Sequence, residues 1–497
     1  MDSFAKRRHR SARANPRRVE GPRACIEHLL TCALMLLLAA CVVNPATGKR
    51  QLNFVSKKDE IAIGQQGAQE VQQSIGVYDA AALNAYVNRV GQKLAAVSER
   101  KDLPWSFQVV DDPGVNAFAL PGGPIFITRG LLAHMENEAQ LASVLGHEIG
   151  HVTAQHSVNQ MSKSQLANMG LGLGAALSSS VAQLGGLGAQ GLQLLFLKFG
   201  RDDERQSDDL GIRYMVRAGY DPREMPKVFE TLGRVSEAAG GSKVPGWLQS
   251  HPQPEERVRR GEKKIASMQG QNFDAMEKGQ DPYMKAIDGM VYGPNPREGF
   301  FRDGRFYHPG LAFSVDMPSG FKAENTKQAV IAASPEGDAA FELRMGPAMP
   351  AEQAVESFLK ESGVTRRDGP KRVGKGSAAS FEATTEAGQI GGIAFFVEQQ
   401  GHTFMMLGLS DASRFAQYQD TFLHSFASFA PVTDESILEV GPNRLQVEKL
   451  ASATSIRDLA QEHRGMKPEE LALLNQAEVG ASLPAGEYAK WVSPSER

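Results

Sequence analysis

The sequence predicts a multidomain α+β protein. We expect a mainly helical domain with a small sheet over residues 58–295, an α+β domain over residues 300–432, and a small β-α-α-β module over residues 442–493. Two observations support this division. The 497 residues exceed the roughly 250–300 residues that one hydrophobic core usually serves. Periodicity is mainly helical up to Asn295, whereas strand-like alternation begins after Gly299.

The composition is that of an ordinary globular protein. Hydrophobic residues make up 41% and charged residues 22% of the chain, which indicates neither disorder nor an integral membrane bundle. The net charge is -3, and removing residues 1–40, with their eight bases and three acids, makes it -8. This acidic balance argues against nucleic acid as a partner.

Residues 1–40 are predicted to be a signal peptide. A basic segment precedes the apolar run LLTCALMLLLAA, which is shorter than the about 20 residues of a bilayer span. The run ends in LAAC, the small-residue pattern found where a signal peptide is cut before a cysteine that becomes lipidated. We therefore expect Cys41 to carry a lipid and residues 41–57 to form a lipidated tether. The alternative is an uncleaved membrane anchor.

A lipidated Cys41 implies a protein of the bacterial cell envelope that faces the periplasm and is anchored to a membrane. Val42 stands where an aspartate commonly signals retention at the inner membrane, so the outer membrane is expected. The other cysteines, Cys25 and Cys32, precede the proposed cut. The mature chain would then hold no disulfide and no second thiolate, which excludes cysteine proteases and cysteine-ligated zinc.

Two segments interrupt the helical pattern of the first domain. Phe118 and Leu120, then Ile125 and Ile127, alternate as strands do on either side of a Pro-Gly-Gly turn, so we expect a hairpin or an edge strand. Residues 169–197 are uncharged for longer than a membrane span requires. Their glycines and serines favour a buried or membrane-touching helical hairpin over an intramembrane segment.

The stretch GHEIGHVTAQH, residues 146–156, carries the strongest chemical signal. On a helix, His147 and His151 lie one turn apart on one face and can direct both imidazoles at one zinc ion. Glu148 can then reach a water beside the metal without binding the metal, as a general base requires. The alternative is a polar helix face that is rich in histidine.

A tetrahedral zinc site needs a third protein ligand. His156 lies five residues past His151, about 140° around a continuous helix, so it would point away from the metal. Ala154 and Ser157 stand where the metzincin pattern requires glycine and histidine, which excludes that protease class. The third ligand should therefore come from elsewhere in the chain.

Glu204 and Asp208 are the candidates for this role, because they again lie one helical turn apart in the stretch GRDDERQSDDLG. One carboxylate could bind zinc while the other accepts a hydrogen bond from a ligand histidine and fixes its orientation. The alternative is a solvated acidic helix start, where carboxylates are common.

Five motifs occur in an order that resembles a known family. NAFALPGGPIFITRGLL, LGHEIGHVTAQH, ERQSDDLG, AGYDP and SHPQPEER are similar to motifs of the CAAX prenyl endopeptidase/HtpX family of zinc metalloproteases, which are gluzincins, and of its soluble periplasmic BepA-like lipoprotein branch. The resemblance covers the chain from about residue 42 to about residue 290. It implies that Glu204 is the third zinc ligand and Asp208 the aspartate of the E-x-x-A-D motif, with Ser207 in place of the usual alanine.

His251 matches the S-H-P motif of this family. The resemblance implies a histidine near the zinc, which could stabilise the oxyanion of a tetrahedral intermediate or could hold the fourth ligand position until it is displaced. The alternative is a loop histidine beside a proline.

The expected reaction is zinc-assisted hydrolysis of peptide bonds, with one Zn²⁺ per chain as cofactor. Glu148 would take a proton from the attacking water and return it to the leaving amine. An extended substrate could also add a strand to the small sheet, which reads backbone more than side chains and suits unfolded chains. The candidate substrate strands are Phe118, Ala119 and Leu120, or Ile125, Phe126 and Ile127.

Residues 442–493 resemble a LysM module in their order of strand, helix, helix and strand. Leu474-Asn475 and the stretch LPAG from Leu483 stand where such modules have LN and L-x-x-G, whereas Ala453-Thr454 replaces the usual glycine-aspartate. Peptidoglycan binding and a plain packing role are therefore both open.

These features predict a membrane-anchored zinc endopeptidase that acts on unfolded or misassembled envelope proteins, the role in quality control being implied by the family alone. A second hypothesis is an envelope assembly factor or chaperone with little proteolysis, against which the intact Glu148 argues weakly. A third is a peptidoglycan-tethered binding protein, against which the missing glycine-aspartate argues. Residues 300–432 contain no cluster with metal-ligand spacing, so a binding or structural role is expected there.

Overall fold

The structure is a computed structural model, and the residues that it describes are 41–44, 46–171, 199–238, 246–251, 254–361, 363–366, 368–385, 388–463 and 466–494. The predicted signal peptide and most of the uncharged segment 169–197 lie outside these ranges. Among the helices within them, none combines the length and the apolar character that crossing a membrane requires.

The first domain is mainly helical, as its periodicity predicts. Its helices are α1 (Lys57–Ser74), α2 (Ala81–Ala95), α3 (Arg129–Ala133), α4 (Glu138–Thr153), α5 (His156–Leu171), α6 (Arg201–Arg217), α7 (Glu224–Ala238), α8 (Gly246–Ser250), α9 (Pro254–Ala266) and α10 (Gln280–Ile287). All 16 residues of α4 are buried, because α2, α6 and α7 pack around it. The histidine motif therefore lies in the centre of the domain rather than on its surface.

The segment that the sequence suggested to be a tether has a defined fold. Strands β1 (Cys41–Val43) and β2 (Arg50–Leu52) pair antiparallel in a short hairpin. Between them, the buried Asn44 donates from Nδ2 to the carbonyl oxygen of Thr153 at 3.1 Å. The hairpin is thereby attached to the C-terminal end of α4, since a buried amide requires hydrogen-bond partners inside the protein.

A three-stranded sheet lies beside α4, in the order β3 (Ser106–Val110), β5 (Pro124–Thr128) and β4 (Ala117–Ala119). Strands β4 and β5 pair antiparallel around the Pro-Gly-Gly turn, so the predicted hairpin is confirmed. Strand β3 pairs with β5 in parallel. Strand β4 is therefore an edge strand of the sheet, and Leu120 follows it in the turn.

One of the two candidate substrate strands is wrong. Ile125, Phe126 and Ile127 belong to β5, which is paired on both sides, so no further strand can be added to it. The parallel pairing with β3 joins segments that are distant in sequence, and alternation of apolar residues does not report it.

Helices α4 and α6 cross in very close contact. A Cβ atom added at Gly150 would lie 3.0 Å from both Cα and O of Ser207, and one added at Gly146 would lie 3.3 Å from Cα of Gly211. Larger side chains at these positions would separate the two backbones. Ser207 is small enough to fit this crossing.

The expectation that the helix continues through His156 is wrong. Helix α4 ends at Thr153 and α5 begins at His156, with Gln155 between them in the left-handed region at φ 58°. This conformation is costly for a residue with a side chain. A hydrogen bond of 2.8 Å from Nε2 of Gln51 to Oε1 of Gln155 helps to hold it.

The second domain is α+β, as predicted. Its strands are β6 (Phe300–Arg302), β7 (Arg305–His308), β8 (Phe313–Asp316), β9 (Lys322–Asn325), β10 (Ala329–Ala333), β11 (Ala339–Met345), β12 (Val364–Arg366), β13 (Lys371–Val373), β14 (Gly376–Thr385), β15 (Gly388–Gln399), β16 (His402–Asp411) and β17 (Ala430–Pro431). One sheet runs β12-β14-β15-β16-β11-β10-β9, with β13 also on β14, and a second runs β17-β8-β7-β6. Helices α11 (Ala351–Phe358) and α12 (Phe415–Ala427) cover the larger sheet.

The C-terminal part begins with helix α13 and contains two strand pairs and two further helices. Its elements are α13 (Glu435–Leu438), β18 (Arg444–Lys449), β19 (Thr454–Ser455), α14 (Ile456–Glu462), α15 (Pro468–Leu474), β20 (Ser482–Leu483) and β21 (Tyr488–Ser493). Strand β18 pairs antiparallel with β21, and the predicted order of strand, helix, helix and strand is observed. Leu445, Leu474 and Val492 pack into the core of the first domain, so this module is not an isolated unit.

We predict that Gly150→Ala lowers the free energy of unfolding by about 1–3 kcal/mol, because the added methyl group meets the backbone of Ser207 and overpacks the helix crossing. Urea unfolding of the full chain, followed by tryptophan fluorescence, measures this change. Gly233→Ala in α7 is the matched control, because its Cβ would meet only Pro254 at an ordinary 3.6 Å. Equal stability of Gly150→Ala and the native protein would contradict the close crossing.

Candidate metal centre

Helices α4 and α6 and the residue after α8 bring four possible metal ligands together. His147 and His151 come from α4, Glu204 from α6, and His251 from the chain directly after α8. One ligand atom from each of these buried residues lies within 4.8 Å of all the others. The sequence-predicted ligands and His251 are thus adjacent.

The imidazole nitrogens of the group point at a common space. Nδ1 of His147 lies 2.9 Å from Oδ1 of Asp208. Because a carboxylate only accepts, the shared proton belongs to Nδ1, and Nε2 of His147 presents a lone pair. This Nε2 lies 3.0 Å from Nε2 of His151 and 3.3 Å from Nδ1 of His251. Such close approach of three imidazole nitrogens, with the carboxylate of Glu204 beside them, is typical of a cation site.

Burial and a nearby arginine set the charges of the ligands. Burial, together with the charge of Arg257, lowers the pKa of His147 to about 3, which keeps its imidazole neutral and able to bind a metal. Burial alone would raise the pKa of Glu204, but His251 and Arg257 outweigh it and hold that pKa well below its usual value. The group therefore combines neutral imidazole with an anionic carboxylate.

Glu148 has a different environment from Glu204. Its side chain is buried, and Oε1 has no hydrogen-bond partner among the described residues. Nε2 of His251 lies 3.7 Å from this oxygen. Burial raises the pKa of Glu148 to about 7. A carboxyl group with a pKa near neutrality can both accept and return a proton, as a general acid-base group requires.

Arg257, in α9, is a central residue of the site that sequence reasoning did not identify. It donates from Nη2 to Oδ1 of Asp208 at 2.6 Å and from Nε to Oδ2 at 3.0 Å, and its Nη1 lies 3.2 Å from Oε2 of Glu204. Its guanidinium also lies over the rings of Phe229 and Trp247, at 4.0 and 4.5 Å from their centroids. The only available signal was its position in SHPQPEER, six residues after the motif histidine.

His156 lies behind the metal group rather than far from it. Its Nδ1 is 3.0 Å from Nδ1 of His151, the nitrogen on the opposite side of that ring from the convergent Nε2. The break between α4 and α5 makes this contact possible. His156 is therefore placed to orient His151, while the space between the ligand atoms is left to the other side chains.

Zinc fits this set of residues. Three imidazole nitrogens and one carboxylate oxygen are donors that zinc accepts in tetrahedral sites. Oε2 of Glu204 accepts no hydrogen bond within the described part of the chain, although Nη1 of Arg257 lies 3.2 Å away as an ion-pair partner, and Oε1 of Glu148 likewise has no hydrogen bond. A buried carboxylate oxygen without a hydrogen bond is costly, and a cation between the ligands would reduce that cost for Glu204.

Comparison with known proteins agrees with this assignment. Residues 81–264 match peptidase family M48. The matched span includes all four ligand candidates together with Glu148, Asp208 and Arg257. The donor set and the family thus agree on a zinc metallopeptidase centre.

Individual relatives extend this agreement. The chain is 32% identical over 231 residues to the beta-barrel assembly-enhancing protease of Yersinia pestis, covering 45% of this chain and 47% of that protein. It is 30% identical over 223 residues to the protein of the same name from Escherichia coli K12, covering 43% and 45%. It is 31% identical over 237 residues to the mitochondrial metalloendopeptidase OMA1 of Schizosaccharomyces pombe, covering 45% and 66%. The chain thus spans about half the length of the bacterial relatives.

We predict that Asp208→Asn weakens zinc binding about 10- to 100-fold, because His147 loses the carboxylate that orients it and Arg257 loses its main partner. The dissociation constant is measured by competition with a chromophoric chelator. Asp209→Asn is the matched control: this neighbouring carboxylate is about one-third exposed and pairs with Arg260 instead. Equal zinc affinity of the two variants would contradict the orienting role of Asp208.

Proposed function

We propose that this protein is a zinc-dependent endopeptidase that hydrolyses peptide bonds of unfolded or misassembled cell-envelope proteins. The observation that carries the proposal is the buried group of His147, His151, Glu204 and His251, with Oε1 of Glu148 beside it and without a hydrogen-bond partner among the described residues. The match to peptidase family M48 over the same residues supports it.

In this proposal His147, His151 and Glu204 hold the zinc ion. Zinc, when bound, supplies a Lewis acid that polarises the scissile carbonyl and lowers the pKa of water. Glu148 accepts a proton from the attacking water, and its pKa of about 7 suits that step. The same carboxyl then returns the proton to the leaving amine, so one buried residue serves both halves of the reaction.

His251 is the proposed gate of the site. Its Nδ1 lies 2.8 Å from Oε1 of Glu204, and its ring stacks on Trp247 with centroids 4.8 Å apart. This position among the ligands favours the role of a fourth ligand that must leave before substrate binds, over a role in oxyanion stabilisation. The stacking on Trp247 stabilises the closed arrangement.

The edge strand β4, with Phe118 and Ala119, is the proposed place where an extended substrate pairs. Within the described residues β4 pairs with β5 alone, so its other side is an edge of this sheet. Strand addition of this kind reads the substrate backbone, which suits a broad specificity for unfolded chains. Leu120 would lie at the end of the bound segment.

We also propose a location in the bacterial cell envelope, facing the periplasm, with Cys41 as the lipid-anchored residue and the outer membrane as the anchoring membrane. The names of the bacterial relatives support an envelope location. The module at residues 442–493 is proposed to be LysM-like, with peptidoglycan as its possible ligand. An assembly factor with little proteolysis is the second candidate function, favoured by the words assembly-enhancing in the names of those relatives.

We predict that Glu148→Gln lowers the hydrolysis of an unfolded test protein about 10²- to 10⁴-fold while leaving about one zinc per chain, because the amide cannot accept the proton. Bound zinc is measured by elemental analysis and cleavage by gel electrophoresis. Glu60→Gln, at a buried carboxylate that pairs with Arg100 outside the metal group, is the control for removing a buried carboxylate. Equal and negligible cleavage by the native protein and Glu148→Gln would favour the assembly factor.

We predict that His251→Ala increases peptide hydrolysis several-fold, because the proposed fourth ligand is removed. Initial rates on a quenched fluorescent peptide measure the change, and His402→Ala, at an exposed histidine, is the control. A large decrease would indicate oxyanion stabilisation instead of gating. An unchanged rate in a folded variant would contradict both roles.

A further inference from the structure

The N-terminal end of α4 is held by a buried lysine from the C-terminal module. Lys490, in β21, has a fully buried side chain. Its Nζ donates to the carbonyl oxygens of Ala133 at 2.9 Å and Met135 at 2.8 Å, and it pairs with Oε1 of Glu136 at 2.8 Å. These three partners belong to the end of α3 and the connection that leads into α4.

Gln476 adds a second set of contacts to the same connection. Its Nε2 donates to the carbonyl oxygen of His134 and to Oε1 of Gln140, each at 2.8 Å, and its Oε1 accepts from Nε2 of Gln140 at 3.0 Å. Gln140 lies in the first turn of α4. Lys490 and Gln476 together thus contact residues 133–136 and Gln140.

The opposite end of α4 is also held from outside the segment that matches the peptidase family. Asn44 donates to the carbonyl oxygen of Thr153, the last residue of the helix. The family match covers residues 81–264, so neither Asn44 nor Lys490 belongs to it. The helix with His147 and His151 is therefore fixed at both ends by parts of this chain that the family match does not include.

Burying the charge of Lys490 is energetically costly, which argues that the contact serves to position α4. Burial lowers the pKa of Lys490 and raises that of Glu136. A buried ion pair is often less stabilising than apolar side chains of the same volume, but its directional contacts admit a single arrangement. Nine residues of rigid helix, about 14 Å, separate Glu138 from His147, so an axial shift at the start of α4 moves the ligands by a similar distance.

We propose that Lys490 and Gln476 are positioning residues that set the place of α4 relative to α6, so that the geometry of the metal site depends on the C-terminal module. This inference rests on the proposed zinc peptidase function. In structural terms, three carbonyl groups and two side chains of residues 133–140 are bound to the module, and α6 supplies the ligand Glu204 at the other side of the site.

The test compares Lys490→Met in the full chain with two controls. Lys449→Met removes an exposed lysine of the same module, and Leu459→Ala removes buried apolar volume from the module without touching residues 133–140. The readouts are zinc affinity by chelator competition and the visible absorption bands of the protein loaded with Co²⁺ in place of zinc. We expect Lys490→Met alone to weaken zinc binding about tenfold and to shift the Co²⁺ bands.

A second comparison tests the proposal in case Lys490→Met alone does not fold. Lys490→Met combined with Glu136→Gln removes the unpaired buried charge but restores no donor to the two carbonyl groups, and Gln476→Ala removes only the glutamine contacts. We expect both variants to fold and to bind zinc more weakly than the native protein. Native zinc affinity and native Co²⁺ bands in these folded variants would overturn the proposal, as would equal changes in Leu459→Ala.

These readouts separate the inference from the proposed function. Zinc affinity and the Co²⁺ spectrum do not depend on hydrolysis, so a native protein that binds zinc but cleaves nothing would refute the peptidase activity alone. A native protein that cleaves, with unchanged metal binding in the folded variants of Lys490 and Gln476, would refute the positioning role alone.

Discussion

The close crossing of α4 and α6 is the constraint on which the rest of the structure depends. Gly146 and Gly150 on one helix meet Ser207 and Gly211 on the other, and an added Cβ at either glycine of α4 would contact the opposing backbone at 3.0–3.3 Å. At this separation, His147 and His151 of α4 lie within 2.9–3.6 Å of carboxylate oxygens of Asp208 and Glu204 in α6. The sequence provides for the crossing with small residues placed one turn apart on both helices.

The crossing places several ionisable groups away from water, where unpaired charge is expensive. The cost is offset by a continuous network: Arg257 pairs with Asp208 and Glu204, and Asp208 accepts from His147. Glu148 is left out of this network. Its pKa therefore differs from those of Glu204 and Asp208, and this difference in environment separates the proposed proton-transfer group from the proposed ligand and the proposed orienting group.

Much of this arrangement was predictable from local sequence. The remainder could not be predicted, and the reasons are physical. The spacing of His147 and His151 and the hairpin at the small sheet follow from the periodicities of helix and strand. The left-handed conformation of Gln155 could not be predicted, because glutamine has no preference for that conformation and the residue that contacts it, Gln51, is distant in sequence. Similarly, Arg257 lies in a charged stretch that is typical of an exposed helix.

The central proposal is that His147, His151 and Glu204 hold a single zinc ion in the centre of the first domain, with His251 as the displaceable fourth ligand. X-ray absorption at the zinc edge, on the full chain with a measured metal content, tests it most directly. The account predicts about one zinc per chain, four nitrogen or oxygen ligands at about 2.0–2.1 Å, and the multiple scattering of more than one imidazole. Sulfur ligands, a hexa-aqua-like shell without imidazole scattering, or the absence of stoichiometric zinc would contradict it.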